Sequence, residues 1–366
     1  MKKRNIVPII MFGMVCFLTA CTQIPTSIRP DSVPNAYDSG INPPSPPHES
    51  QVSEISGLEL ITLSDGQQIQ RDFSSNTGGV IVIDAVVDAS FSGKIQQYEY
   101  TCLPITEILR NNLFVAYFGE RAGEMKQTSQ NPSAWILANS TAGGDYYKFT
   151  TVYPQAGSTI PGEESFSLEY RLVDLYPFDD NLLATVKQST CVIAPEKAID
   201  MCDQIMEQIS KKDDYIVDYI LAYGSNGRNP YYKICYKRHI NGMPVTAYND
   251  IYFLVDDSGI QKIFGSVYDI TPKGDAGEFI SVYTAVDILG RCIDEINFRG
   301  ADEMYIGRIS LEYIVTCSFM GEIQVSPAWR FEIGKTDEEL NTNRRTIVAV
   351  DAVSGELIQG RRGTTF

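Results

Sequence analysis

The sequence is short of the residues from which most enzymes and metal sites are built. It holds two histidines, His48 and His239, in 366 residues. A Ser-His-Asp triad or a histidine-based metal centre therefore has little material. No Gly-x-Ser-x-Gly elbow occurs, and no phosphate-binding glycine loop. The cysteines beyond Cys21 (Cys102, Cys191, Cys202, Cys235, Cys292 and Cys317) are widely spaced and form no Cys-x-x-Cys pair, so the usual zinc spacing is missing. Neither a cofactor nor a metal is expected. Basic residues are also scarce, 30 against 46 acidic ones, for a net charge of −16. Nucleic-acid binding rests on clustered Lys and Arg that neutralise phosphates, so nucleic acid is excluded as a partner. A polybasic membrane patch is excluded on the same ground. No apolar run reaches the ~20 residues that a membrane-spanning helix needs.

The amino terminus carries the clearest signal. Lys2, Lys3 and Arg4 precede Ile6–Leu18, an uncharged and mostly apolar run of 13 residues. That length suits the apolar region of an export signal. Leu18-Thr19-Ala20-Cys21 follows, and it resembles the lipobox of bacterial lipoproteins. In that family the thiol matching Cys21 is acylated and becomes the mature N-terminus, so residues 1–20 are expected to be a lipoprotein signal peptide. A plain secretory signal with a chance cysteine is the alternative. Two acyl chains hold a protein stably at a bilayer, whereas one does so only marginally. Loss of Lys2, Lys3 and Arg4 would take the net charge from −16 to −19.

Residues 21–54 contain Pro25, Pro30, Pro34, Pro43, Pro44, Pro46 and Pro47 among many Ser, Asn and Asp. They lack apolar periodicity. Such a segment buries too little surface to offset its ordering entropy and is expected to be a disordered tether. His48 falls within it.

About 310 residues remain, enough for two domains of ordinary size. Tyrosine is common there, with 21 in the chain against 2 Trp. Residues 55–193 are expected to form a mixed α+β domain. Val80–Val87 reads as a buried strand and Ile95–Cys102 as a second. Pro104 is expected to open a helix with Ile105, Ile108 and Leu109 on one face. Phe166–Leu172 alternates and reads as a half-exposed strand.

Residues 194–360 read as a duplicated unit, 194–272 and 279–359. The first opens with a helix from Pro195 to about Lys211, with Ile199, Cys202, Ile205 and Ile209 at helical spacing. Strands follow at Ile216–Tyr223, Tyr231–Arg238 and Val245–Tyr248, with an Asn241-Gly242 hairpin signal between the last two. Another hairpin surrounds Asp256-Asp257-Ser258-Gly259. The second unit opens with a helix from about Ser281 to Ile296, and strands follow at Ile309–Val315, Ala328–Ile333 and Thr346–Asp351. The expected fold class is α+β, an N-terminal mixed domain followed by a duplicated helix-on-antiparallel-sheet domain.

The Gly242–Val245 hairpin, the Val-Asp-Asp-Ser-Gly turn, Ser326-Pro327-Ala328-Trp329-Arg330 and the terminal Val-Asp-Ala-Val-Ser-Gly together resemble the extracytoplasmic regulatory proteins YycH and YycI of Gram-positive bacteria, and PepSY-like modules more widely. The resemblance covers about Pro195 to Gln359. It implies a non-enzymatic module that binds and restrains a membrane sensor kinase. Those proteins are anchored by a transmembrane helix, whereas this chain has a lipobox.

Carboxylate pairs are the remaining chemical candidates. Asp179-Asp180-Asn181 and Asp213-Asp214 could ligate calcium or serve as acid and base. Solvated turn residues are the simpler reading. Asp256-Asp257 suits turn stabilisation. Trp329 and Arg330 are candidate partner-binding residues, since both types are enriched at interaction hot spots. A core tryptophan capping the sheet is the alternative. No residue is assigned a catalytic role. The function expected is a binding or regulatory lipoprotein on the extracytoplasmic face of the cell membrane, with an envelope protein as partner. An envelope hydrolase working through carboxylates and a structural or spore-envelope lipoprotein are the alternatives.

Overall fold

Strands dominate the computed structural model. It describes residues 64–361 apart from 92–93, 130, 139–145, 153–163, 171–182, 185–190, 210–213, 225–229, 248–249, 297–301, 318–322 and 344–345. The expected signal peptide, Cys21 and the tether lie outside the described residues, as do Asp179, Asp180, Asn181 and Asp213. The described residues belong to one unit, Ser53–Phe366. No helix among them is long and apolar enough to cross a membrane.

The chain opens with β1 (Gln68–Ser74), β2 (Val80–Asp88), β3 (Gln96–Cys102) and α1 (Glu107–Phe118). Next come β4 (Lys126–Gln127), β5 (Ala134–Ala138), β6 (Tyr146–Val152), β7 (Ser165–Tyr170), β8 (Leu183–Ala184) and α2 (Pro195–Ile209). β9 (Tyr215–Tyr223), β10 (Tyr231–Ile240), β11 (Met243–Thr246), β12 (Ile251–Asp256), β13 (Gly259–Ser266) and β14 (Tyr268–Asp275) follow. The chain closes with α3 (Val282–Arg291), β15 (Glu303–Cys317), β16 (Ile323–Ile333), α4 (Asp337–Asn343), β17 (Thr346–Asp351) and β18 (Leu357–Arg361).

Local chemistry accounts for many element ends. Thr106 caps α1 by accepting from the Leu109 amide at 3.2 Å, so the helix starts there rather than at Pro104. Its buried residues are Leu113 and Phe114, while Ile108 of the expected stripe is 74% exposed. Ser281 caps α3 through the Thr284 amide at 3.1 Å, and Val282, Ala285, Val286, Ile288 and Leu289 face inward. α3 stops at Arg291, and Ile293–Glu295 tighten into a 3-10 turn. Asn241 and Gly242 both have positive φ, 53° and 84°, as a type I′ hairpin between β10 and β11 requires.

The expected fold class is overturned. Helix-on-sheet layers do not organise the molecule; the strands join in one eighteen-stranded network. One antiparallel run is β9-β10-β12-β13-β7-β6-β5-β4. Another is β18-β17-β16-β15, and it continues through the parallel pair β15–β2 to β1. β14 pairs with β3, which meets β16 at a single register position, Val325↔Tyr98. β11 ties the runs together, antiparallel to β10 and parallel to β15. Strands from the first half of the chain therefore pair with strands from the second, β2 with β15, β3 with β14 and β7 with β13. A separate N-terminal domain followed by two stacked repeats would not produce these pairings. Hydrophobic periodicity reports which face of a strand is buried, not which distant strand lies beside it.

β7 shows the consequence. Its alternation suggests one exposed face, yet Ser165–Glu169 are all buried: Phe166 and Leu168 pack in a core with Phe149 and Phe253, and on the other face Glu169 lies 3.4 Å from the Lys262 ammonium of the adjacent β13. β2 departs in the opposite direction. Ile81, Ile83, Ala85 and Val87 point inward while Val86 is 47% exposed, so this apolar run is buried on one face.

Two main cores result. One gathers residues from β1–β3, β11 and β14–β17 with α3, around Trp329, Phe331 and Tyr313. The other takes residues between Ile105 and Ile263, with α1 and α2 against β6, β7, β10, β12 and β13. Cys102 packs on the first and Cys191 on the second. Cys202 is buried in the second, as expected for a cysteine acting as a small apolar residue.

Candidate functional site

Two polar regions stand out, a closed seam between the sheet runs and an open cleft beside α2. The seam centres on Glu312 of β15, which is 1% exposed. Its Oε2 accepts from Lys237 Nζ at 3.0 Å and Arg330 Nη1 at 3.1 Å, and from the Thr246 hydroxyl. Its Oε1 accepts from the Ser310 hydroxyl at 3.0 Å. Lys237 also lies 3.5 Å from Asp218 Oδ1, whose side chain is 3% exposed. Two cations and two carboxylates are thus buried together, drawn from β9, β10, β15 and β16. Such a cluster stabilises little relative to an apolar core, but any packing that separates its members is heavily penalised. Its closure makes it a structural joint rather than a binding surface.

Trp329 and Arg330 are placed inside. Trp329 is fully buried and its Nε1 donates to the Ile280 carbonyl at 3.0 Å, while Arg330 is 1% exposed and holds Glu312. The core alternative for Trp329 describes the structure, and neither side chain is available on the surface.

Asp256 and Asp257 organise a turn. Asp256 Oδ1 accepts from the Ser258 amide at 2.8 Å, the Ser258 hydroxyl at 2.6 Å and Gln261 Nε2 at 3.0 Å. Asp257 Oδ1 takes the Val192 and Ile193 amides at 2.7 and 2.9 Å, just ahead of α2. Asp214 lies 3.8 Å from Arg238. His239 sits at the end of β10 with Nδ1 3.2 Å from the Lys237 carbonyl, and burial pushes its pKa below the usual histidine value. Among the described residues no group of three or more His, Cys, Asp or Glu could hold a metal ion.

The cleft has a volume of about 480 Å³, within the usual range for small-molecule sites. Tyr117 of α1, Tyr147 of β6 and Tyr170 of β7 line one part, Met201 and Gln204 of α2 another, and the Ser258–Gln261 turn closes it. Tyr147 and Tyr170 are register partners on adjacent strands, with ring centroids 4.6 Å apart. Tyr117 stands edge-on to Tyr147 at 5.7 Å, and its hydroxyl donates to the Ile260 carbonyl, tying α1 to the turn. All three tyrosines are half-buried. Among the described residues, no Asp, Glu, Lys, Arg or His lines this cleft. The abundance of tyrosine was the available sequence signal for it, but nothing local says that Tyr117, Tyr147 and Tyr170 converge.

No family model matches the chain, and no curated protein matches it either. Among solved structures, an uncharacterized protein from Eubacterium rectale is similar over 83% of this chain and 99% of its own, at 14% identity and a TM-score of 0.48.

Proposed function

We propose that this chain is a lipid-anchored, extracytoplasmic binding protein, held at the cell membrane through Cys21, whose recognition face is the tyrosine-lined cleft. The observation that carries this reading is Leu18-Thr19-Ala20-Cys21, directly after a positive start and a 13-residue apolar run. The half-buried tyrosines support a binding role, since aromatic rings with polar tips suit recognition surfaces. The resemblance to YycH and YycI points to an envelope protein such as a sensor kinase as a partner to test by copurification.

Metabolic labelling with palmitate in a bacterial host tests the anchor. The wild-type chain takes label and sediments with membranes, and Cys21→Ala loses both. Label that persists in Cys21→Ala would sink the proposal.

A further inference from the structure

We infer that the cleft lined by Tyr117, Tyr147 and Tyr170 takes a neutral saccharide. This deepens the binding-protein reading and rests on it.

Charge is the first argument. The chain carries a net −16, yet among the described residues no Asp, Glu, Lys, Arg or His lines the cleft. An anionic ligand would find no counter-charge among these described residues and would approach through a repulsive field. A cationic ligand would find no carboxylate among them to pair with once desolvated. A neutral ligand meets neither cost.

The mixture of surfaces is the second. Tyr147 and Tyr170, paired across β6 and β7, provide adjoining aromatic rings. The C–H faces of a sugar ring carry slight positive charge and pack well on the negative face of such a ring. Gln204 and Ser258 bring an amide and a hydroxyl to the same cleft. Gln204 can donate and accept, and the Ser258 hydroxyl, whose proton goes to Asp256, can still accept, as suits a ligand bearing several hydroxyls. An extended proline-rich peptide would use aromatic rings too, but it offers mainly carbonyl acceptors to these groups.

Rigidity is the third. Asp256 orders the Ser258–Gln261 turn, and Tyr117 joins it through the Ile260 carbonyl. Walls fixed before binding lower the ordering cost of a weak polar ligand.

The test titrates the full chain, purified in detergent, with three uncharged probes by calorimetry: an N-acetylglucosamine trimer, maltotriose and a decaproline peptide. Saturable heat is expected with at least one trisaccharide and none with decaproline. Tyr170→Ala should weaken that binding about tenfold. Gln204→Ala alters an exposed helix residue and should also weaken it, with the circular dichroism spectrum unchanged. Decaproline binding in place of saccharide, no binding of either trisaccharide, or saccharide binding indifferent to both variants would each overturn the assignment. Palmitate labelling reports the anchor separately. A copurified envelope protein that is lost in the cleft variants would leave the binding-protein reading standing while the saccharide assignment falls.

Discussion

Glu312, Lys237 and Arg330 are charged, closely packed and closed to solvent, whereas Tyr147 and Tyr170 are uncharged, half-buried and open onto a cleft with the Ser258–Gln261 turn. The seam uses ionic groups where the two sheet runs meet across β11. The cleft uses rings, an amide and hydroxyls where α1, α2 and the β12–β13 turn converge. The contrast separates holding from recognising. Charges buried at 1% exposure can define one packing but can meet no ligand, while uncharged groups in the open can.

Glu312→Ala should break this contrast most strongly. It strands Lys237 and Arg330 without their shared carboxylate, and breaking a buried pair in this way costs about 3–5 kcal/mol. Urea unfolding should show a lowered midpoint. A change below about 0.5 kcal/mol, as for an ordinary surface substitution, would mean the seam does not hold the sheets together.

A smaller effect is expected at two turns of similar sequence. Asp256 and Asp351 each lie just before a Ser-Gly turn, and Asp351 Oδ1 accepts the Val353 and Ser354 amides at 2.8 Å each. Asp256 is 1% exposed and also holds Gln261, whereas Asp351 is only partly buried. Asp256→Ala removes the shared acceptor of the Ser258 amide, the Ser258 hydroxyl and Gln261 Nε2 and should cost about 1–3 kcal/mol, with Asp351→Ala nearer the lower end. Equal losses would show that cleft-side burial adds nothing. Only Asp256→Ala should disturb the cleft, because its turn forms the wall.

The smallest effect concerns pH. His239 has a folded pKa depressed mainly by burial. Its neutral form therefore favours folding above the unfolded value of about 6.5, and that contribution is lost as pH falls through the lower folded value. Stability should decline from pH 7 toward pH 5, and His239→Gln should flatten that slope. An unchanged slope would place the pH dependence on other groups.

Much of the local structure was legible. The hairpin at Asn241-Gly242 needs two left-handed residues, and those two types tolerate that backbone best. Cys202 and Ile205 of the expected Pro195 helix stripe are buried in α2. The start of α1 was misread because Pro104 looked like a first-turn proline, while the Thr106 side chain supplies the cap. Trp329 and Arg330 were ambiguous for a physical reason. The same side chains that anchor interfaces also fill cores, and only the neighbours of β16 decide between them.

By itself the sequence determined what depends on a few neighbouring residues: the export-like start with Cys21, the Asx turns at Asp256 and Asp351, and the strand and helix character of most segments. The tertiary structure alone decided which strands pair. Val80 lies beside Glu303, and Leu168 beside Ile263, across most or much of the chain. Those pairings turned the expected layered α+β repeats into one strand network, buried Arg330 against Glu312, and brought Tyr117, Tyr147 and Tyr170 to one cleft. Each is a contact between residues distant in the chain, set by which surfaces can be removed from water together.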